Sequence, residues 1–541
     1  MKTRTSLILC ALAVLALVAV QSARAATIYW DGTGTGWDTA GFWSTAVGAA
    51  TPNPAAVPGA ADVANFSINT VTTAQTVNLN AAQSATGLIF LGTNTATTTL
   101  LGGGTDRILT LGTSGITVNI LAGAVTVGSA TSGQNVAITL GGAQSWTDNS
   151  ANALTIQNAV TNGSNLLTIA GTGNTTINGA IGTGAGGLTK SDGGILTLSG
   201  ANIYTGTTTV SGGTLRANDG TGLPTGSLLT ISSGVFETGA NLVRTGGSAA
   251  GNMNITAGTS GFSAKGGAVQ VAFGTLSSPT ALTWATAPFQ PTILVLNAST
   301  ADNTLEFTNA ISLVDAARTV QVDANVATMS GVLSSSGASG GLTKTGTGTL
   351  VLSGTNTFAG ATTISAGTLK LGAAGDATNT PLGTTAAGTT VSASGAALDL
   401  NGFTLGTAEA LTLNSTGVSS GGALTNSSAT AATYSGLITL GSASSIVASS
   451  GNIVISNAGT ITGSGFGLTL DGTATGSSLA SIIGTVAGTV TKSGTGTWTL
   501  SGANTYSGNT AVSAGTLKLG AAGVIPDGTG KGNVKIGRAH V

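Results

Sequence analysis

The stretch GGLTKTGTGTLVLSGTNTFAGATTISAGTLK, Gly340 to Lys370, decides the fold, because the chain writes it three times. It stands earlier as GGLTKSDGGILTLSGANIYTGTTTVSGGTLR, Gly186 to Arg216, and later as GTVTKSGTGTWTLSGANTYSGNTAVSAGTLK, Gly488 to Lys518. Lys190 and Leu215, Lys344 and Leu369, and Lys492 and Leu517 are each 25 residues apart. Register held over that length without a gap means one structural unit used again. The middle block reads as strand, turn, strand, turn, strand: Thr347–Leu352, Thr362–Ser365 and Thr368–Leu371, separated by Ser353–Gly360 and by Ala366-Gly367. The two-residue period points Leu369 and Leu371 inward and Thr368 and Lys370 outward.

Short β-branched or alternating runs continue between the blocks, as in Ile108–Leu111, Thr304–Phe307, Val320–Val322 and Leu468–Leu470. Gly, Asn and Ser separate them, and no 3.6-residue apolar period persists. Weaker coils precede the first two blocks, at Thr176–Ile181 and Thr328–Leu333. Two all-β architectures suit such strands: a string of β-sandwiches, or a right-handed parallel β-helix (β-solenoid). Sandwiches predict linkers of shifted composition. Gly, Thr and Ser stay uniform here, as a quasi-one-dimensional stack requires. The reading is therefore a β-solenoid over residues 51–535. At about 22 residues per coil and ~4.8 Å between strands it makes a rod of about 110 Å. Residues 26–50, with Trp30, Trp37 and Trp43, read as an aromatic N-terminal cap.

Charged residues make up 6% of the chain, against roughly 25% in ordinary soluble domains, and the net charge is −1. No basic stripe exists to neutralise phosphates, so nucleic acid is not an expected partner. Apolar residues reach 41%, which argues against disorder.

Residues 1–25 read as a secretory signal peptide: Lys2 and Arg4, an apolar run from Leu7 to Val20, then Ala23-Arg24-Ala25. The single cysteine, Cys10, lies in that leader, so disulfides and thiolate sites are not expected in the mature chain. The last six residues, 536–541, read IGRAHV, match a translated sequencing adapter, and contain the only histidine, His540. They are read as an artefact that replaces the natural C-terminus.

GGLTK, the G-T-x-x-L-S-G-x-N-x-[YF]-x-G turn and the G-T-L-K strand arrive together, and in that combination the blocks resemble the passenger-associated transport repeat, also called the autotransporter-associated β-strand repeat. Val524–Gly528 with Gly532–Val534, and the N-terminal Tyr29–Gly32, Trp37 and Phe42-Trp43, resemble the flanks of such proteins. The resemblance implies a β-helical passenger, secreted or displayed on the surface of a Gram-negative-type bacterium, structural or adhesin-like, with repeats that assist export. It also implies an outer-membrane barrel or sorting segment beyond Lys535, and surface glycans or other cells as partners of a monomer. The alternative is a carbohydrate-binding or polysaccharide-degrading β-helix.

No catalytic, cofactor or metal site is expected: a Ser-His-Asp triad and His/Cys metal sites lack their residues. Asp302, Glu306, Asp315 and Asp323, with Arg318 among them, form the one acid-rich region and are read as exposed strand and turn residues rather than a hydrolytic pair. Lys190, Lys344 and Lys492 offer either a ladder for an acidic polymer or solvated strand ends that discourage edge pairing. Their separations of 154 and 148 residues favour the second. Asn202, Asn356 and Asn504, beside Tyr204, Phe358 and Tyr506, read as turn staples, with Asn in the left-handed region bonding its own backbone. Sugar stacking on those rings, or on Trp30, Trp37 and Trp43, is the competing reading.

Overall fold

A computed structural model describes residues 26–47, 56–66, 73–91 and 96–537. The leader with Cys10, residues 48–50 of the aromatic segment, and Arg538–Val541 with His540 lie outside the described residues. Within them the regular structure is β-strand, apart from two single-turn 3-10 helices, Ala40–Phe42 and Val418–Ser420. No helix among them is long and apolar enough to cross a membrane. The chain is a parallel β-solenoid of about 19 turns. Three long sheets of 13, 16 and 13 strands carry it, and the neighbours within each come from successive coils.

Each repeat block contributes four strands, one more than the sequence reading gave. In the first block these are Leu188–Lys190, Ile195–Leu198, Thr208–Val210 and Thr214–Arg216. Leu188–Lys190 pairs with Thr208–Val210, and Ile195–Thr197 with Thr214–Arg216. A block is therefore two consecutive rungs of the stack, and its internal homology is the coil repeat itself. Coils elsewhere are longer: Val269 pairs with Leu305, and Thr259 with Ile293. Fewer turns fit into the same chain, so ~4.8 Å per turn gives a rod of about 90 Å rather than the expected ~110 Å.

The two-residue period sorts the side chains. One inward column runs Leu167, Leu188, Thr208, Leu229; the next runs Ile169, Lys190, Val210, Ile231. Leu369 and Leu371 are buried as read, and so is Leu215 at the matching position of the first block, whereas Leu517, near the C-terminal end, is half-buried. Full burial of each such aliphatic side chain contributes about 1.5–3 kcal/mol, and the buried side chains form one continuous core. Threonine dominates the outward columns. Thr76, Thr99, Thr126, Thr155, Thr176 and Thr197 stand in register on one sheet. Further along the same sheet come Thr319, Thr343, Thr363, Thr390, Thr412 and Thr439, and an isolated bridge joins Thr462 to Thr439 beyond its last strand.

At the N-terminal end Trp43-Ser44 pairs antiparallel on the free edge of Thr27–Trp30, whose other edge pairs parallel with Val63–Phe66. Trp43 packs edge-on against both Trp30 and Trp37 at 5.1 Å, and Phe66 continues the cluster to a stacked Phe90 at 4.8 Å. At the other end Val534–Ile536 pairs with Thr510–Val512, and Leu519, Val534 and Ile536 are exposed.

Candidate functional site: the repeat block and its buried clamps

The alternation that buries Leu188 and exposes Thr189 sends Lys190 inward, and the same holds at Lys344 and Lys492. All three lysines are essentially inaccessible, between Ile169 and Val210, between Val320 and Ile364, and between Leu470 and Val512. This corrects both sequence readings, since neither a polymer-binding ladder nor a solvated strand end is compatible with such burial. The four-carbon stem fills a core position, and the ammonium turns into the corner after its strand. Lys344 Nζ donates to the carbonyls of Thr345 (2.8 Å), Gly346 (2.7 Å) and, on the next coil, Ala366 (3.1 Å). Lys190 Nζ does the same to Ser191, Asp192 (2.9 Å) and Gly212 (3.5 Å). Lys492 Nζ reaches Ser493, Gly494 (2.8 Å) and Ala514 (3.3 Å). An ammonium has three donors and no acceptor, so three carbonyls use all of it. Burial pushes Lys190 and Lys344 down to about 8, against the opposing pull of Asp192 and Asp323, and it lowers Lys492 against Asp471.

The turn that supplies the third carbonyl depends on glycine. Gly213, Gly367 and Gly515 sit at φ 59°, 64° and 62°. A Cβ on Gly367 would stand 2.4 Å from Gly348 O on the coil before, and on Gly213 2.3 Å from Gly194 O. Only glycine accepts both the left-handed backbone and the close approach.

Asn202, Asn356 and Asn504 are buried and keep negative φ, so they are not the left-handed local staples expected. They bridge coils. Asn356 Oδ1 accepts from Leu333 N (2.8 Å) on the coil before, and Nδ2 donates to Pro381 O (2.6 Å) on the coil after. Asn202 links Ile181 N to Gly222 O, and Asn504 links Ile483 N to Val524 O. Tyr204 and Tyr506 are buried with their hydroxyls on Thr208 Oγ1 (2.7 Å) and Thr510 Oγ1 (2.6 Å). Phe358 lacks that hydroxyl, and Thr362 Oγ1 donates to Leu382 O instead. None of these rings is open to a sugar. Nor are Trp30, Trp37 and Trp43, at 2%, 0% and 0% exposure, so stacking of glycans on them is corrected: the rings pack on one another.

The family described as passenger-associated-transport-repeat matches at residues 188–217, 342–371 and 490–519. The chain carries three passenger-associated transport repeats. Each match begins at the first residue of the lysine-bearing strand and takes in both rungs of a block. The repeat is thus a two-rung unit with a lysine clamp at one corner and an asparagine bridge at another. The family is associated with autotransporter passengers. No curated protein and no solved structure matches the chain.

The acid-rich region disperses among separate partners. Asp302 pairs with Lys265 (3.2 Å), Glu306 accepts from Gln270 Nε2 (2.9 Å), Asp315 from Ser339 N (2.8 Å), and Asp323 from Gln321 Nε2 (2.8 Å). Arg318 donates to Leu313 O and lies 5.9 Å from the Trp284 ring centre. Among the described residues no group of three or more His, Cys, Asp or Glu could hold a metal ion.

Several buried charges escaped the sequence reading. Arg216 Nε meets Glu237 at 2.6 Å one rung away, and Arg244 meets Asp219 at 2.5 Å. Asp148, raised to about 6 by burial, accepts from Ser150 N and Leu154 N. Glu409, raised by burial to about 8, accepts from Thr389 Oγ1 at 2.5 Å. The Arg216–Glu237 spacing of one coil was a usable signal; nothing local marks Glu409.

Proposed function

We propose that the chain is a secreted, surface-displayed passenger of a Gram-negative-type bacterium, a structural and adhesin-like rod whose three repeats assist its export. Surface glycans or other cells are its partners, it acts as a monomer without catalysis, and a barrel or sorting segment encoded beyond Lys535 anchors it. The observation that carries this reading is the repeat's own chemistry. Each asparagine reaches the coils on both sides and each lysine ties its turn to the next, so every repeat is a locally strengthened segment of a quasi-one-dimensional stack. Such a segment can fold as soon as it emerges from an export pore, and its folding opposes return of the chain.

The test is protease shaving of intact native cells with an antibody against the solenoid, using the wild-type gene and a Lys190→Met/Lys344→Met/Lys492→Met variant. Wild-type protein should be cleaved from the surface, and the variant should stall in the periplasm. Wild-type protein confined inside the cell overturns display. Variant export at the wild-type rate overturns the role given to the repeats.

A further inference from the structure

We infer that the outward threonine rank from Thr319 to Thr462 is a binding surface for ice. Seven consecutive coils place a threonine at the same register position. Thr439 and Thr462 are exposed, and the interior members are half-exposed between their neighbours. The hydroxyls of Thr343, Thr363, Thr390 and Thr412 have no hydrogen-bond partner among the described residues and point outward. Their neighbours differ in this respect. Ser392 Oγ donates to Ile364 O and Asn414 Nδ2 to Val391 O, so the rank beside them is held by backbone of the coil before. On the other flank stand Gly341, Ala361, Gly388 and Ala410, which raise nothing above the surface. From Gly341 to Gly441 the three columns contain no charged residue.

Backbone pairing sets the step along the rank at ~4.8 Å. That step is close to the repeat of water oxygens along a basal-plane axis of ice. A β-branched side chain is restricted in χ1, so methyl and hydroxyl present one periodic pattern rather than a disordered fringe. An uncharged array of methyls and hydroxyls, unpaired from Thr343 to Thr412 and bonded to each other at Thr439 and Thr462 (3.2 Å), complements an uncharged water lattice, and contacts in register add through multivalency. A crystalline polysaccharide shares the periodicity but is gripped through aromatic faces, and all six tryptophans are buried.

The test is thermal hysteresis and ice-recrystallisation inhibition by the purified chain, beside co-sedimentation with microcrystalline cellulose and chitin. Wild-type protein should shape ice crystals and show hysteresis. Thr363→Tyr/Thr390→Tyr, which stands two rings on the surface, should lose both effects with an unchanged circular dichroism spectrum. Thr363→Lys alone serves if the double variant does not fold. Thr189→Tyr/Thr209→Tyr, in an outward column of a different sheet, should keep full activity. Absence of hysteresis in the wild-type chain, equal loss in both double variants, or binding to a polysaccharide without an effect on ice overturns the inference.

Discussion

Glu409→Gln should make the solenoid more stable at neutral pH. The carboxyl is 1% exposed; one oxygen accepts from Thr389 Oγ1, and the other, Oε2, is buried without a hydrogen-bond partner. Burial raises its pKa from 4.5 to about 8. A folded pKa above the unfolded one means the folded chain binds the proton more tightly, so this group's contribution is complete below pH 4.5 and is withdrawn as pH rises toward 8. At about 1.4 kcal/mol per pH unit, the loss reaches roughly 3 kcal/mol by pH 7. Glutamine keeps the shape and the acceptor for Thr389 but cannot ionise. It should recover about 2–3 kcal/mol at pH 7 and almost nothing at pH 4. Stability is local in a stacked fold, so the assay is native-state hydrogen exchange of peptides spanning Thr389–Tyr434, at pH values corrected for intrinsic exchange, with urea unfolding alongside. Tyr434, whose hydroxyl donates to Glu409 O, reports on the next coil by fluorescence. A variant less stable than wild type at pH 7, or a wild-type coil whose stability is flat between pH 5 and 8, refutes the reasoning.

Lys344→Met keeps the apolar stem but removes the donor of three carbonyls, and should cost about 2–3 kcal/mol at pH 7 by chemical denaturation. Because the folded pKa of Lys344 is lowered, its wild-type contribution makes stability rise with pH from about 8 to 10.5, and the variant should flatten that slope. Gly367→Ala forces a Cβ to 2.4 Å from Gly348 O at φ 64°, and should lower the melting temperature far more than Gly395→Ala, where φ is also positive but nothing lies within 4 Å. Asn356→Ala leaves Leu333 N and Pro381 O unpaired, costing roughly 2–3 kcal/mol, and hydrogen exchange should quicken on the coils both before and after the substitution.

The coil period was legible because it is written in a local alphabet: alternation along each strand, glycine at each corner, and a block repeated in register. Strands at Leu468–Gly472 and Arg318–Gln321 fall where β-branched runs placed them. The lysines were misread although the same alternation carries the answer. In Leu188-Thr189-Lys190 an inward leucine and an outward threonine leave the lysine inward. The general preference of lysine for solvent outweighed the period, and only the nearby turn carbonyls reverse that preference. The asparagines were misread for a different reason. Their partners lie on adjacent coils, about 20 to 25 residues away in either direction, whereas an Asx turn looks only two residues along. Glu409 was illegible altogether, because its environment is assembled from Thr389 one coil before and Tyr434 one coil after.

These clamps also explain why only the three blocks stay alike. In a parallel stack most backbone groups pair with the coil on either side whatever the side chains are, so an outward threonine can drift to serine or arginine, as at Ser145 and Arg216, without loss of a ladder bond. The block residues are constrained twice over. Lysine needs the corner carbonyls of its own coil and of the next, glycine is required to bring that second corner close, and asparagine needs a free N–H before it and a free carbonyl after it. Changing one leaves buried partners unmet, at about 1–3 kcal/mol for each group. The intervening coils lack that mutual dependence and have lengthened, as between Val269 and Leu305. Asparagine bridges occur between the blocks too, as where Asn297 links Ala264 N to Val326 O, so the three islands mark not the density of bonds between coils but the joint use of lysine, glycine and asparagine in one two-rung unit.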